Sequence, residues 1–160
     1  KISLGFGVVD DGPFLYNVAA QALFDDRQVC LMRKDHPVFQ TTMGLEDFAA
    51  ASHALLSITG RGGGRIDDVL RDHGLTRTIA LRITQFMTIN AVIAPTDLII
   101  TVPERLAFQV MTDDLKLLPL PVELQSPSFT VSQIWHERFT QDPAHQWLRR
   151  LVKSACQAVQ

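Results

Sequence analysis

Between positions 59 and 65 the chain reads Thr59-Gly60-Arg61-Gly62-Gly63-Gly64-Arg65, and these are the residues whose types and spacing best suit chemistry. An apolar run at 55–58 reads as a buried strand, and a helical stretch at 66–73 follows, ended by Gly74. A glycine-rich turn that opens into a helix presents free backbone N–H groups at the positive end of the helix dipole. With two arginines beside those amides, the local chemistry suits a small anion or a carboxylate-bearing ligand. From the loop alone, a surface turn with no ligand fits at least as well, because glycine is the default residue of turns.

Nucleotide chemistry fails on the sequence itself. A P-loop requires Lys-Ser/Thr after its last glycine, where this chain has Arg65-Ile66. A dinucleotide fingerprint begun at Gly60 requires glycine at position 65, which is arginine. Ser57-Ile58-Thr59-Gly60 does not resemble a Gly-x-Ser-x-Gly nucleophile elbow. His136-Glu137 opens a zinc-protease pattern that fails at Thr140. The histidines at 36, 53, 73, 136 and 145 keep no ligand spacing with cysteines or carboxylates. No catalytic residue, metal or cofactor is expected, and nothing supports an enzyme. Asp67-Asp68 reads as a solvated pair complementing the helix dipole. His136 with Arg138 reads as closing a turn rather than lining a cleft.

These residues must be positioned by a chain of 160, enough for one ordinary domain or two small lobes. The 46% hydrophobic and 20% charged residues are those of a soluble globular protein. A net charge of −2 gives no footprint for gripping nucleic acid. No apolar run approaches a bilayer span, and no signal-peptide pattern opens the chain. Cys30 and Cys156 lie in apolar surroundings without Cys-x-x-Cys spacing and read as buried thiols of a reducing compartment. Lys1 opens directly into a strand pattern, which reads as a piece excised from a longer polypeptide.

Strands are expected at 2–9, 22–24 with 28–32, 78–83, 98–102, 115–120 and 128–135. Helices are expected at 45–51, at 85–94 with Thr84 as N-cap, at 103–110 with Pro103 at its first position, and at 143–158. In the last, Ala144, Trp147, Leu148, Leu151, Val152, Ala155, Cys156 and Val159 form the expected inner stripe, with Gln146, Arg149, Arg150 and Lys153 outside. Phe86, Ile89 and Ile93 are expected mostly in the core. Strands alternating with helices imply an α/β fold with a mostly parallel sheet, and such sheets bind ligands at the carboxyl ends of their strands. The loop at 59–65 and the turn at 83–86 both follow a strand, which favours a ligand over a bare turn.

The ordered motifs resemble a known family. They include Leu23-Phe24-Asp25-Asp26-Arg27-x-Val29-Cys30-x-Met32-Arg33-x-Asp35-His36-Pro37 and the Gly-Arg-Gly-Gly-Gly-Arg-x-Asp loop. Thr96-Asp97-Leu98-Ile99-x-Thr101-Val102-Pro103-x-Arg105-Leu106-Ala107 follows. Trp135-His136-x-Arg138 and Asp142-Pro143-Ala144-His145-x-Trp147-Leu148-Arg149 complete the set. In that order they resemble the effector-sensing domain of LysR-type transcriptional regulators, nearest the branch of nodulation and aromatic-degradation regulators.

The resemblance implies two Rossmann-like lobes of the type II periplasmic-binding-protein kind, an incomplete lobe I at 1–33 and 127–160 and a lobe II at 34–126. It implies an interlobe small-molecule effector, aromatic or carboxylate-bearing, held by Thr59, Gly60, Arg61, Thr84, Gln85 and Phe86. It also implies a cytoplasmic homo-oligomer that meets DNA only through an N-terminal domain this chain lacks, and no membrane. Several relatives carry histidine at the position of Gln85; glutamine keeps the hydrogen bond but does not titrate. A transporter's solute-binding protein with the same fold, and a purely structural oligomerisation domain, are the alternatives. A lobe I without its early elements leaves sheet edges uncovered, which predicts self-association.

Overall fold

A computed structural model describes residues 4–8, 16–57, 64–125 and 128–158 of the chain. The chain divides into two compact units, Lys1–Asp26 with Ser128–Gln160, and Arg27–Pro127.

The first unit is built on a three-stranded antiparallel sheet in the order β1-β8-β2, with β1 at Gly5–Val8, β2 at Val18–Asp26 and β8 at Phe129–His136. The β2–β8 register slips between Ala22 and Phe24, so Leu23 is the extra residue of a bulge, and it turns inward. Helix α5, Pro143–Ala158, belongs to this unit. Its start is capped as expected: Asp142 Oδ1 accepts the backbone N–H of His145 at 2.8 Å, with Pro143 in the first turn.

The facing of α5 differs from expectation. Arg149 and His145 are buried, while Trp147 is 61% and Leu151 50% exposed. Ala144 and Ala155 are exposed as well, and Cys156 is only half-buried. The inward line is His145-Leu148-Arg149-Val152-Cys156, rotated from the apolar stripe. The cause is polar satisfaction: main-chain carbonyls accept the Arg149 guanidinium, as described below, so the charged side chain is buried at little desolvation cost.

The second unit is a five-stranded sheet in the order β5-β4-β6-β3-β7. Its strands are β3 Gln28–Arg33, β4 Ser52–Leu56, β5 Thr78–Ile83, β6 Ile99–Pro103 and β7 Leu115–Pro119. Strands β5, β4 and β6 are parallel, but β3 runs against both β6 and β7. The sheet is therefore mixed rather than simply parallel. The reason lies in the chain path: β3 follows β2 after the single residue Arg27 and enters with Gln28 opposite Pro103, at the carboxyl end of β6.

Alternation along β3 sends Val29 and Leu31 to one face of this sheet and Cys30 and Met32 to the other. The first face is covered by α3, Ile89–Ile93, and α4, Glu104–Val110, which bring Ile89, Ile93, Ala107 and Val110. The second is covered by α1, Leu45–Ala50, and α2, Arg65–Asp72, which bring Leu45, Phe48, Ala49 and Leu70. Each large apolar side chain fully buried in these layers contributes roughly 1.5–3 kcal/mol. Helix α2 ends as its sequence requires, with Gly74 at φ +72°, the left-handed conformation suited to glycine.

Two smaller differences concern helix starts. Pro103 is the last residue of β6 and the N-cap of α4, not its first turn. Thr84 does not cap α3, because Gln85 is extended and a 3-10 turn at Phe86–Thr88 precedes the helix. Thr88 holds that turn, its hydroxyl donating to the Gln85 carbonyl at 2.7 Å.

Candidate functional site

The strand order settles what the carboxyl edge of the second unit gathers. There β5 ends at Ile83, β4 at Leu56 and β6 at Pro103, and β3 begins at Gln28. Beyond the end of β4, the Ser57 backbone N–H donates to the Ile83 carbonyl at 2.9 Å, so β4 and β5 leave the sheet side by side. The segment after Ser57 and the turn after Ile83 therefore start from adjacent positions. Of the expected site residues, Thr59, Gly60 and Arg61 lie outside the described residues. Thr84, Gln85 and Phe86 are described and all are exposed.

Phe86 departs from the core role expected of it: it is 40% exposed, and Met87 beside it is more so. The extended Gln85 delays the helix, so Ile89 and Ile93 occupy the core without Phe86. Among the described residues no hydrogen bond is made by the side chains of Thr84 and Gln85, both of which are exposed at this edge. Next along the edge, the Arg27 guanidinium makes two hydrogen bonds to the Glu104 carboxylate, at 2.9 and 2.5 Å, and the Arg27 carbonyl accepts the Glu104 N–H at 2.8 Å.

Behind the loop exit sits a polar cluster that sequence reasoning missed. Gly64, the N-cap of α2, accepts the N–H groups of Asp67 and Asp68 at 2.9 and 3.1 Å. The Asp67 carboxylate in turn accepts the Gly64 N–H, the reciprocal arm of a capping box. It also takes a two-point bond from Arg77, at 2.7 and 3.0 Å, with the Arg77 side chain only 5% exposed. Asp67 is thus ion-paired rather than solvated, whereas Asp68 pairs with Arg71 on the surface. The hydrogen bond from Arg77 holds Asp67 below the usual carboxylate range, against the opposing effect of burial.

His53 completes the cluster. It is fully buried; Nε2 donates to the Phe48 carbonyl at 2.8 Å, and the ring meets Phe48 edge-on. Nδ1 has no partner among the described residues. Burial pushes its pKa down to about 4, and the positive charge of Arg77 adds to that effect. Strand β4 begins at Ser52, three residues before the expected position 55, because a buried histidine preceded by serine carries no strand signal.

In the first unit the motif around residues 135–149 is structural. The Arg149 guanidinium lies 4.2 Å from the centre of the Trp135 ring and donates to the carbonyls of Phe139 at 3.2 Å and Thr140 at 2.9 Å. It also contacts His145 Nδ1 at 2.7 Å, and His145 stacks on Phe139. His136 Nδ1 accepts the Arg138 N–H at 3.2 Å, which closes a turn as its sequence suggests. A depression of about 700 Å³, lined in part by His36, Phe39, Asp47 and Asp97, opens at the amino ends of β4 and β6, away from the edge described above. Asp97 in its lining is engaged: the nearby Arg33 bonds its carboxylate at 2.6 Å, and His36 meets its carbonyl at 3.1 Å. Among the described residues no group of three His, Cys, Asp or Glu side chains is placed to hold a metal ion. No described helix is long and apolar enough to cross a membrane.

An α/β chain with these sheets and loops has the type II periplasmic-binding-protein fold. It superposes on the regulatory domain of MexT, a transcriptional activator in Pseudomonas aeruginosa, with a TM-score of 0.77 and 28% identity, over 96% of this chain and 72% of that one. The pattern of the LysR substrate binding domain matches residues 5–157, and the chain belongs to that family. It is 35% identical over 130 residues to the HTH-type transcriptional activator NagR of Ralstonia sp, covering 81% of this chain and 42% of the relative. It is 37% identical over 131 residues to the HTH-type transcriptional activator NahR of Pseudomonas putida, covering 81% and 43%. The chain spans less than half the length of these curated relatives.

Proposed function

We propose that this chain is the effector-sensing part of a bacterial LysR-type transcriptional regulator and binds a small aromatic or carboxylate-bearing molecule. The observation that carries the site is the bond between Ser57 and Ile83, which brings the end of β4 beside the exposed turn at Thr84–Phe86 at the sheet's carboxyl edge. In this proposal Arg61 and the amides around Thr59 and Gly60 hold the polar end of the effector. Thr84 and Gln85 supply further hydrogen bonds, and the exposed Phe86 packs on the apolar body. The two compact units are the lobes of the family. The whole protein is a cytoplasmic homo-oligomer that contacts DNA through a separate domain. The relatives named above are transcriptional activators, which supports regulation over solute transport and over catalysis.

Thermal-shift screening of aromatic acids and flavonoid-like compounds on the intact regulator tests this reading. Arg61→Ala and Gln85→Ala are each expected to weaken binding of a true effector by about tenfold, the loss of one hydrogen bond to a charged or polar group. Hits that survive both substitutions unchanged place the effector elsewhere.

A further inference from the structure

The depression at the amino ends of β4 and β6 is built by three segments: the loop after β3, the end of α1 with the start of β4, and the entry to β6. Its volume, about 700 Å³, falls within the roughly 300–1,000 Å³ of small-molecule pockets. One wall is held in place by His36, which is buried and stacks on Phe39. The ring's Nδ1 accepts the backbone N–H groups of Val38 and Phe39 at 3.3 and 3.4 Å. In the neutral ring the proton therefore sits on Nε2 and is donated to the Asp97 carbonyl. That bond ties the loop after β3 to the entry of β6. Pro37, Val38, Ala50, Ala51 and Leu98 supply apolar lining, and Val38 is left exposed.

The polar lining is one-sided. Among the described residues no lysine or arginine lines the depression. Both nitrogens of His36 are engaged, and the Thr96 hydroxyl donates to the Val92 carbonyl at 2.8 Å. The Asp97 carboxylate takes a bond from Arg33, yet its side chain stays mostly exposed and keeps acceptor capacity. The Asp47 carboxylate makes no hydrogen bond or ion pair among the described residues. Apolar walls with carboxylate acceptors suit a molecule with a positive head and an apolar body, and they repel one that carries a carboxylate. We propose that the depression is a second small-molecule site, selective for an organic ammonium, with Asp47 as its main counter-ion and Pro37, Val38 and Leu98 against the apolar body. It lies at the opposite end of β4 and β6 from the candidate effector edge and does not rest on the effector reading.

Saturation-transfer NMR titration of the intact regulator at neutral pH compares three probes of similar shape: phenethylammonium, 2-phenylethanol and 3-phenylpropionate. Phenethylammonium is expected to bind about fivefold tighter than the alcohol, the upper end of what an exposed ion pair contributes, and the propionate more weakly than either. Asp47→Asn is expected to lower the affinity for the cation about fivefold, to that of the alcohol, and to leave the alcohol unchanged. Ala50→Phe fills the depression from the exposed end of α1 and is expected to abolish binding of both. Gln85→Ala is expected to leave the cation's affinity unchanged. Equal affinities for the three probes overturn the charge selection, and with it the proposal. Cation binding that survives both Asp47→Asn and Ala50→Phe places the site elsewhere, as does cation binding lost in Gln85→Ala. A wild-type regulator that does not bind phenethylammonium also overturns the proposal.

Discussion

Arg77→Met is expected to lower the unfolding free energy by about 3 kcal/mol, because it strips the partner from a partly buried carboxylate while keeping the length of the side chain. The two-point geometry and the near-complete burial of the guanidinium put this pair beyond the range of ordinary surface ion pairs, whose worth is roughly 0–1 kcal/mol. Urea denaturation of the two proteins at neutral pH measures the difference. Arg77→Lys is expected to fall between them, since an ammonium cannot reproduce the fork that faces both Asp67 oxygens. Adding Asp67→Asn to Arg77→Met is expected to recover part of the loss by removing the stranded charge. A loss below about 1 kcal/mol in Arg77→Met would show that the pair is merely decorative.

Acid is the second large lever. His53 has a folded-state pKa of about 4 against an ordinary value of 6.5, so the unfolded chain takes up its proton first as the pH falls. The contribution is complete above about pH 6.5 and is lost progressively down to about pH 4. It totals about 3 kcal/mol, since each tenfold difference in proton affinity between the folded and unfolded chains is worth about 1.36 kcal/mol. Asp67 adds a loss at still lower pH, when its carboxylate protonates and releases Arg77. His53→Gln retains a donor for the Phe48 carbonyl and removes the titration. Its stability is expected to vary much less than that of the wild type between about pH 6.5 and about pH 4.5. Equal pH slopes in the two proteins would assign the acid sensitivity to other groups.

Element positions were legible wherever the chain is punctuated. Gly74 ends α2, and Asp142-Pro143 opens α5 at the residue expected. The orientation of α5 was not legible, because apolar spacing assumes that only apolar side chains go inward. Arg149 goes inward because Phe139 and Thr140, in a 3-10 turn and the residue after it, turn their carbonyls towards it, and no periodicity encodes that. The one available signal was His145, four residues earlier on the same helix face. The same limit hid Arg77, which reads as an ordinary charge in the connection between α2 and β5. At the candidate site, the strand-end positions of the two segments could be read from the order of strands and helices, whereas the exposure of Phe86 follows from the backbone of Gln85, about which residue types say nothing.

The sheet layer that buries Cys30 also gives the molecule a built-in reporter. Both cysteines are free, but Cys30 has no exposed surface and burial raises its pKa far above that of an ordinary thiol, whereas Cys156 is only half-buried. A thiol reagent that reacts with thiolate therefore modifies the folded chain once, at Cys156, and reaches Cys30 only when the β3–β6–β7 layer opens. With Cys156 replaced by serine, the rate of labelling becomes a direct measure of how often the sheet's centre is breached, with or without effector.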